Sequence, residues 1–188
     1  MLRSNVSVIS TLTQLKHPIA TQLWYIASQV VSNILIEKED FNEEAIVRMY
    51  RSNPDLLKAL NNDIQRIDFG IRELQMADSV DGPIALVQHA GLTAPLTLPF
   101  ESHGTRQFIK TFPLIYGALA TGGVAVIDEL DLSIHPLVLP EILRWFYDPK
   151  RNPHDAQLWM TGQNPSLLEE LIKEEIFFCE KDGAGKTK

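Results

Sequence analysis

The spacing of apolar and polar positions changes along the 188 residues of the chain. Up to about residue 68 the apolar residues recur with a helical period, and the clearest series is Leu23, Ile26, Val30 and Ile34. Two further helices are predicted to begin after Asn42 and after Asn53, where Pro54 takes the first helical position. The first 70 residues are therefore expected to form a helical region.

From Ile71 onward, short apolar runs are separated by glycine, proline and aspartate. Strands are predicted at 72–76, 84–89 and 95–98. A strict alternation follows, with helices at 104–120, 136–147 and 165–174 and strands at 124–127, 157–161 and 176–180. Such alternation favours right-handed crossovers. We expect an α/β fold with a mostly parallel sheet flanked by helices, in which residues 71–188 form the main unit and residues 1–70 a helical insertion.

Composition narrows the classes of protein that fit. Hydrophobic residues make up 45% of the chain and the formal net charge is −7, which disfavours non-specific binding to nucleic acid or anionic membranes. No apolar run reaches the roughly 20 residues of a membrane span, and no secretory signal pattern opens the chain. The single cysteine, Cys179, lies in an apolar run and is predicted to be a buried, reduced thiol. We expect a cytoplasmic protein.

Two adjacent acids follow the most apolar of the predicted strands. Residues 124–127 are apolar on both faces, as in a central parallel strand, and Asp128 and Glu129 come directly after them. Neighbouring carboxylates repel each other unless a cation or a chemical task compensates. Four apolar residues followed by Asp-Glu have the form of a Walker B motif. The alternative is a strand that ends in solvated acids before a helix, with Asp131 or Ser133 as its N-cap.

A second polar segment precedes the helix predicted at 104–120. Ser102, Gly104 and Thr105 offer a hydroxyl, a flexible backbone and free N–H groups at a helix N-terminus, where an anion binds well. The alternative is an ordinary serine cap in which glycine eases the turn.

The order of these motifs resembles that of a known family. From residue 101 to about residue 180, the chain resembles the C-terminal half of an AAA-type, ABC-like ATPase, a P-loop group related to SMC and ABC transporter heads. The resemblance rests on three segments, Glu-Ser-His-Gly-Thr, Asp-Glu-Leu-Asp-Leu-Ser-Ile-His-Pro and Thr-Gly-Gln-Asn-Pro-Ser-Leu-Leu. Many members of this group belong to bacterial genome-maintenance and phage-defence systems. The resemblance implies ATP and Mg²⁺ as ligands.

The resemblance also implies roles for individual residues. Asp128 would be the carboxylate associated with Mg²⁺ and Glu129 the general base. Ser102 and Gly104, with Thr105 at the helix start, would contact the γ-phosphate of a nucleotide held by an opposite protomer. His135 would lie in the D-loop and bridge protomers. Gln163 stands where the family has a switch histidine, and glutamine carries no charge and moves no proton, so we expect slow or regulated hydrolysis.

The sequence contains no Walker A motif before these segments. The nearest likeness is Gly-Ala-Gly-Lys-Thr at 183–187, but Glu180 stands in place of the first glycine and no helix can follow. This stretch is predicted to form a hairpin turn after an edge strand. We therefore expect a head component whose nucleotide site is completed in a homodimer or by a polypeptide that carries Walker A, with an effector subunit as a further partner. ATPase activity would require that missing half, as in a truncated product, a fragment or a split subunit.

Two other classes of function remain open at this point. The first is a non-catalytic dimerisation or regulatory module derived from a truncated ATPase. The second is a nuclease in which Asp128, Glu129 and Asp131 bind metal directly, although no Asp/Glu-x-Lys set completes such a site.

Overall fold

The computed structural model describes residues 7–34, 43–80, 82–134 and 138–187. Within these ranges the α-helices are α1 (Val8–Gln14), α2 (Pro18–Ser28), α3 (Glu43–Ser52), α4 (Pro54–Ile67), α5 (His103–Thr121), α6 (Leu130–Ser133) and α7 (Leu139–Tyr147). The strands are β1 (Val30–Ser32), β2 (Ile71–Ser79), β3 (Gly82–His89), β4 (Leu96–Thr97), β5 (Val124–Ile127) and β6 (Gln157–Met160). Short 3₁₀ helices span Leu98–Phe100, Pro165–Glu169 and Lys173–Glu175.

A parallel sheet holds the strand that precedes the twin acids. Its order is β1-β5-β6, so β5 is central and bonds on both sides. Ala125 and Ile127 of β5 are buried in the main core, whereas Val124 and Val126 remain partly exposed. The predicted α/β architecture with a parallel sheet and flanking helices is confirmed. The prediction that both faces of β5 are buried holds for one face.

Two consecutive glycines between α5 and β5 allow the chain to enter the sheet. Gly122 ends α5 in the left-handed region, at φ 69°, and a Cβ there would lie 2.5 Å from the carbonyl oxygen of His154. At Gly123 a Cβ would lie 2.3 Å from the carbonyl oxygen of Gln29. Both approaches are to backbone atoms, so a side chain at either position requires the neighbouring backbone to shift.

A separate antiparallel sheet has the order β2-β3-β4. Its strands coincide with the three predicted at 72–76, 84–89 and 95–98, and β2 and β3 extend beyond those bounds. Helices α3 and α4 pack against this sheet and bury Ile46, Val47, Leu60 and Ile64. Helix α4 begins as predicted, because the Asn53 side chain accepts a hydrogen bond from the Leu56 N–H and Pro54 follows the cap.

Helix α5 runs through the core on the face predicted from its spacing. Phe108, Phe112 and Ile115 are buried, and the Phe112 ring meets the Trp145 ring edge-on, with centroids 6.2 Å apart. The Arg151 guanidinium lies over the Trp145 ring, 4.4 Å from its centroid. These contacts therefore join α5 to α7, and α7 to the loop before β6.

A proline inside α5 is accommodated by a tyrosine from α3. Pro113 has no N–H, so the Ile109 carbonyl four residues earlier lacks its helical donor. The Tyr50 hydroxyl donates a 2.7 Å hydrogen bond to that carbonyl oxygen. Burial raises the pKa of the Tyr50 phenol well above its ordinary value, which keeps the hydroxyl protonated as a donor.

The N-terminal helix predicted through Ile34 is wrong in its second half. Helix α2 ends at Ser28, and Val30–Ser32 form strand β1, which pairs with β5. Val30 and Val31 fit both a helical period and a strand. They form a strand because they pair with Val124 and Ala125 of β5. The division of the chain near residue 70 stays a prediction.

The predictions for residues 165–180 are also wrong in part. The helix predicted at 165–174 is two short 3₁₀ helices. The strand predicted at 176–180 is absent from the described residues, and Phe177 and Phe178 are 80% and 77% exposed. Cys179 is exposed, so the predicted buried thiol is wrong as well. An apolar run forms a strand only when a neighbouring strand bonds to it, and the one bridge that follows joins Lys181 to Thr187.

No helix in the described ranges combines the length and apolar character needed to cross a lipid bilayer.

Candidate functional site

The twin acids lie where the ends of all three parallel strands meet. Asp128 follows β5 and Thr161 follows β6, and the Thr161 hydroxyl donates a 2.5 Å hydrogen bond to Asp128 Oδ1. The Thr161 hydroxyl oxygen also accepts a 2.8 Å bond from the Glu129 N–H. At the end of β1, Asn33 Oδ1 accepts from the Asp128 N–H at 2.7 Å, and its Nδ2 donates to the Asp128 carbonyl at 3.2 Å. Asn33 and Thr161 therefore fix the acids at the carboxyl edge of the sheet.

The backbone at Glu129 is strained. Its φ of 52° and ψ of 46° place a residue with a full side chain in the left-handed region. Such a conformation costs on the order of 1–3 kcal/mol and persists only where surrounding bonds impose it. The bond from its own N–H to Thr161 and the bond from the preceding N–H to Asn33 supply that constraint. A strained acid at a sheet edge is the kind of outlier that accompanies function.

The third acid, Asp131, ties the loop after β6 to the helix after β5. Its Oδ2 accepts hydrogen bonds from the N–H groups of Gln163 at 2.6 Å and Asn164 at 2.8 Å. Its Oδ1 is buried and has no hydrogen-bond partner among the described residues. A Cβ on Gly162 would lie 3.1 Å from that oxygen, so glycine permits the close approach. Asp131 therefore positions the loop that carries Gln163.

This geometry bears on the alternatives raised from the sequence. The N-cap position is occupied by Glu129 in α6 and by Val138 in α7, so neither Asp131 nor Ser133 is the predicted helix cap. Among the residues that the structure describes, no three His, Cys, Asp or Glu side chains are grouped to hold a metal ion. The direct three-acid metal site of the nuclease interpretation, with Asp131 as a ligand, is not the arrangement found.

The loop at 101–105 is anchored by its first residue and capped by its second. Glu101 is buried, with 4% of its side chain exposed, and its Oε1 lies 2.7 Å from His89 Nε2 at the end of β3. Ser102 is the N-cap of α5, and its Oγ accepts from the Thr105 N–H at 3.1 Å. The predicted serine cap is confirmed. The anion-binding role of Ser102, Gly104 and Thr105 stays a prediction.

A groove of about 1230 Å³ joins this loop to the third acid. Residues 102–105, Asp131 and Ile134 line one side, and the C-terminal end of α4 lines another. Of the acids near β5, Asp131 lines the groove and Asp128 and Glu129 do not. The groove thus brings the capped loop next to Asp131.

His135 and Gln163 are the two other predicted site residues. His135 lies outside the described residues. Gln163 is exposed, and its described hydrogen bond is made by its backbone N–H.

Four residues that matter here are not singled out by the sequence patterns. Asn33 lies in a segment whose apolar spacing predicts a helix, so its place at the end of a strand does not follow from the sequence. Thr161 has a recognisable signal, because it is a hydroxyl residue at the end of a parallel strand. The hydrogen bond between Glu101 and His89 joins residues 12 positions apart across two elements, and local patterns do not predict such a contact.

The oxygen donors near Asp128 suit Mg²⁺. This ion prefers one or two carboxylates, completed by water and phosphate oxygens. The Asp128 carboxylate, next to the Thr161 hydroxyl, and the Glu129 carboxylate that follows in the chain match this preference. Asp128 uses Oδ1 for the Thr161 hydroxyl, which leaves Oδ2 as the oxygen for such an ion.

Comparison with known proteins bears on the family and on the fold. Residues 12–169 match the profile of a family described as AAA domain, putative AbiEii toxin, type IV TA system. Among solved structures, the chain is similar to one from a study of the structural biochemistry of ATP-driven dimerization and DNA-stimulated activation of SMC ATPases. The TM-score is 0.54 at 11% identity, over 76% of this chain and 86% of that chain, which concerns the fold alone. No curated protein sequence matches. Together these findings support a relation to P-loop, ABC-like ATPases and a nucleotide-binding role in general.

Proposed function

Because the chain belongs to the family described as AAA domain, putative AbiEii toxin, type IV TA system, we propose that it is an ATP-binding and ATP-hydrolysing head component. A segment that carries Walker A would complete its nucleotide site. The observation that carries the proposal is the convergence of Asp128, Glu129 and Thr161 at the carboxyl ends of neighbouring parallel strands. Nucleotides bind at this edge in open α/β sheets.

In this proposal Asp128 holds Mg²⁺, through Oδ2 or a water molecule on it. The Thr161 hydroxyl bond to Oδ1 fixes the carboxylate plane, and Asn33 fixes the backbone to which the carboxylate is attached. When bound, Mg²⁺ would neutralise charge on the phosphate oxygens. The Thr161 and Asn33 side chains orient the Asp128 carboxylate.

Glu129 is proposed as the general base. It follows Asp128 directly, and its left-handed backbone turns its side chain away from the path that an extended strand would give it. The loop held by Asp131 places Gln163 on the same edge of the sheet, because Asp131 accepts from the Gln163 N–H. Gln163 would orient water or phosphate by hydrogen bonding without moving a proton. Gln163→His is expected to raise the rate of ATP turnover. An unchanged or lower rate would contradict the proposal that Gln163 slows hydrolysis.

Ser102, Gly104 and Thr105 are proposed to act on a nucleotide held by another protomer. Their loop lines a groove that the twin acids do not share, which supports an action in trans rather than at their own Asp128. Glu101 and His89 hold this loop at the start of α5. A dimer of heads is the assembly that such a division requires.

The alternative, a non-catalytic dimerisation or regulatory module, is favoured by one observation. Residues 183–187, the only glycine–lysine stretch that resembles Walker A, form a turn. In that turn Asp182 Oδ1 accepts from the N–H groups of Ala184 and Lys186, each at 2.9 Å, so this backbone does not form a phosphate loop. On this alternative the twin acids would be remnants.

Calorimetric titration with ATP and Mg²⁺ separates the two. We expect no micromolar binding by the chain alone and clear binding once a strand–P-loop–helix segment from a complete family member is joined to its N-terminus by a flexible linker. Asp128→Asn should weaken the Mg²⁺-dependent part of that binding, while Asp182→Asn, in the distant turn, should leave it unchanged. Micromolar binding by the chain alone would contradict the proposal that another segment completes the nucleotide site. Absence of binding by the joined chain would favour the non-catalytic module.

A further inference from the structure

A cleft of about 420 Å³ lies among α4, α5, α7 and the loop at 150–154 that leads into β6. The His154 backbone of this loop lies against Gly122, directly before β5. The cleft is therefore near the amino ends of β5 and β6, whereas the twin acids follow the carboxyl end of β5. The C-terminal part of α5 lines the cleft, and Ser102 caps the other end of this 19-residue helix, which is roughly 28 Å long. The cleft is thus separate from the candidate nucleotide site.

The base of the cleft is aromatic. Phe112 and Trp145 are buried there with their rings edge-on, and Tyr116 stacks on Phe112 with centroids 6.1 Å apart. Tyr116 and Leu119 are only partly buried, so they present apolar surface to the opening. Sites for small organic ligands have volumes of roughly 300–1,000 Å³ and a lining of this kind. A flat ring would extend the aromatic stack at Tyr116.

The rim of the cleft is polar and cationic. Lys150 and Arg151 carry two positive charges, and Asp63 is the one acid among the described residues that line the cleft. Asp63 is already engaged, because its Oδ1 accepts a hydrogen bond from Arg151 Nη2. The side chains of Lys150, Asn62 and His154 make no hydrogen bond to another described residue. Since lysine and arginine offer donors only, this rim is complementary to an anion.

One donor of Arg151 lacks a partner. The Arg151 Nη1 atom is buried and has no hydrogen-bond partner among the described residues, while Nη2 bonds to Asp63. The guanidinium also lies over the Trp145 ring, so an acid and an aromatic ring hold its plane in one orientation. A planar guanidinium held in this way matches a carboxylate or a phosphate. An acceptor supplied by a ligand would remove the cost of the unpaired N–H.

We propose that this cleft binds a small aromatic anion, which is a flat ring that carries a carboxylate or a phosphate. The ring packs against Tyr116 and Leu119, and the anionic group accepts hydrogen bonds from Arg151 and Lys150. Neither half of the ligand is sufficient, because a neutral ring leaves the cations unpaired and a bare anion leaves the apolar base exposed. The site is independent of the proposed function, since it lies at the opposite ends of the strands.

The test is a titration of the full chain with naphthoate, naphthyl phosphate and uncharged naphthamide. NMR follows the indole N–H of Trp145, which is bonded to Glu141 at the base of the cleft. We expect both anions to shift the Trp145 resonance to saturation and to leave those of Trp24 and Trp159 nearly unchanged. Naphthamide should bind about tenfold more weakly or worse, because it lacks the charge. The tighter anion identifies the preferred group, and either order supports the proposal.

Variants locate the site. Lys150→Gln should weaken the binding of both anions by about threefold or more, whereas Lys181→Gln, a matched loss of an exposed charge outside the cleft, should not. Ala120→Phe fills the opening from an exposed position on α5 and leaves every charge in place, so it should abolish the binding of all three probes. Circular dichroism melts verify that the variants fold.

Several results would overturn the proposal. Equal affinity for naphthamide and the two anions would mean that the cleft is an apolar site without anion recognition. The absence of a shift at Trp145 would mean that the probes do not enter the cleft. Unchanged affinity in Lys150→Gln, or binding that survives Ala120→Phe, would place the bound anion elsewhere on the chain.

Discussion

The hydrogen bond between Tyr50 and Ile109 gives a prediction that is specific to this fold. Pro113 deprives the Ile109 carbonyl of its helical donor, and the Tyr50 hydroxyl replaces that donor at 2.7 Å. Tyr50 is fully buried, so in Tyr50→Phe no solvent water reaches the Ile109 carbonyl to replace the lost hydrogen bond. A buried carbonyl without a partner costs about 1–3 kcal/mol. For a chain of this length, each 1 kcal/mol corresponds to a shift of roughly 2–4 °C in Tm.

A double-mutant cycle measures this bond by urea unfolding. In Pro113→Ala the new N–H can bond to Ile109, so Tyr50→Phe should cost about 1 kcal/mol less in that background than in the wild type. Tyr147→Phe is the matched control, because Tyr147 is half exposed and its hydroxyl bonds to an exposed Glu175. That control should cost within about 0.5 kcal/mol. Equal costs of Tyr50→Phe in both backgrounds would refute the reasoning.

Two further predictions concern stability. Gly123→Ala should destabilise the fold by about 2 kcal/mol or more, because its Cβ would lie 2.3 Å from the Gln29 carbonyl oxygen. Denaturant unfolding measures this cost. An unchanged free energy of unfolding would mean that β1 moves freely relative to β5. Asp63→Ala should cost about 3 kcal/mol by the same assay, because it removes the partner of a largely buried Arg151. The exposed pair of Asp78 with Arg51 is the control, and Asp78→Ala should leave the free energy of unfolding nearly unchanged. Similar costs for the two aspartates would contradict the burial argument.

Local signals predicted the parts of the site that lie within one element. The apolar run of β5, the acids after it and the serine that caps α5 follow from neighbouring residues alone. The bond of Asn33 to Asp128 joins residues 95 positions apart and depends on strand order. That order was hidden, because Val30 and Val31 continue the helical spacing of α2.

The C-terminal segment shows the opposite error. Ile176, Phe177 and Phe178 have the composition of a strand, yet a strand requires a neighbour to bond with. The two phenylalanines are exposed instead. The open face of the parallel sheet could not be predicted either, since Val124 and Val126 are as apolar as the buried residues beside them. Composition indicates that a face can be buried, and only the arrangement of the other elements decides whether it is.

The most direct test of the catalytic account is the turnover of ATP by the chain joined to a P-loop segment, with Glu129→Gln compared against Glu174→Gln, a change of an exposed acid in the 3₁₀ helix Lys173–Glu175. We predict that Glu129→Gln retains nucleotide binding and lowers kcat by roughly 10²–10⁴-fold, as expected for the loss of a general base, while Glu174→Gln leaves kcat unchanged. An unaltered kcat in Glu129→Gln, with binding intact, would contradict the account.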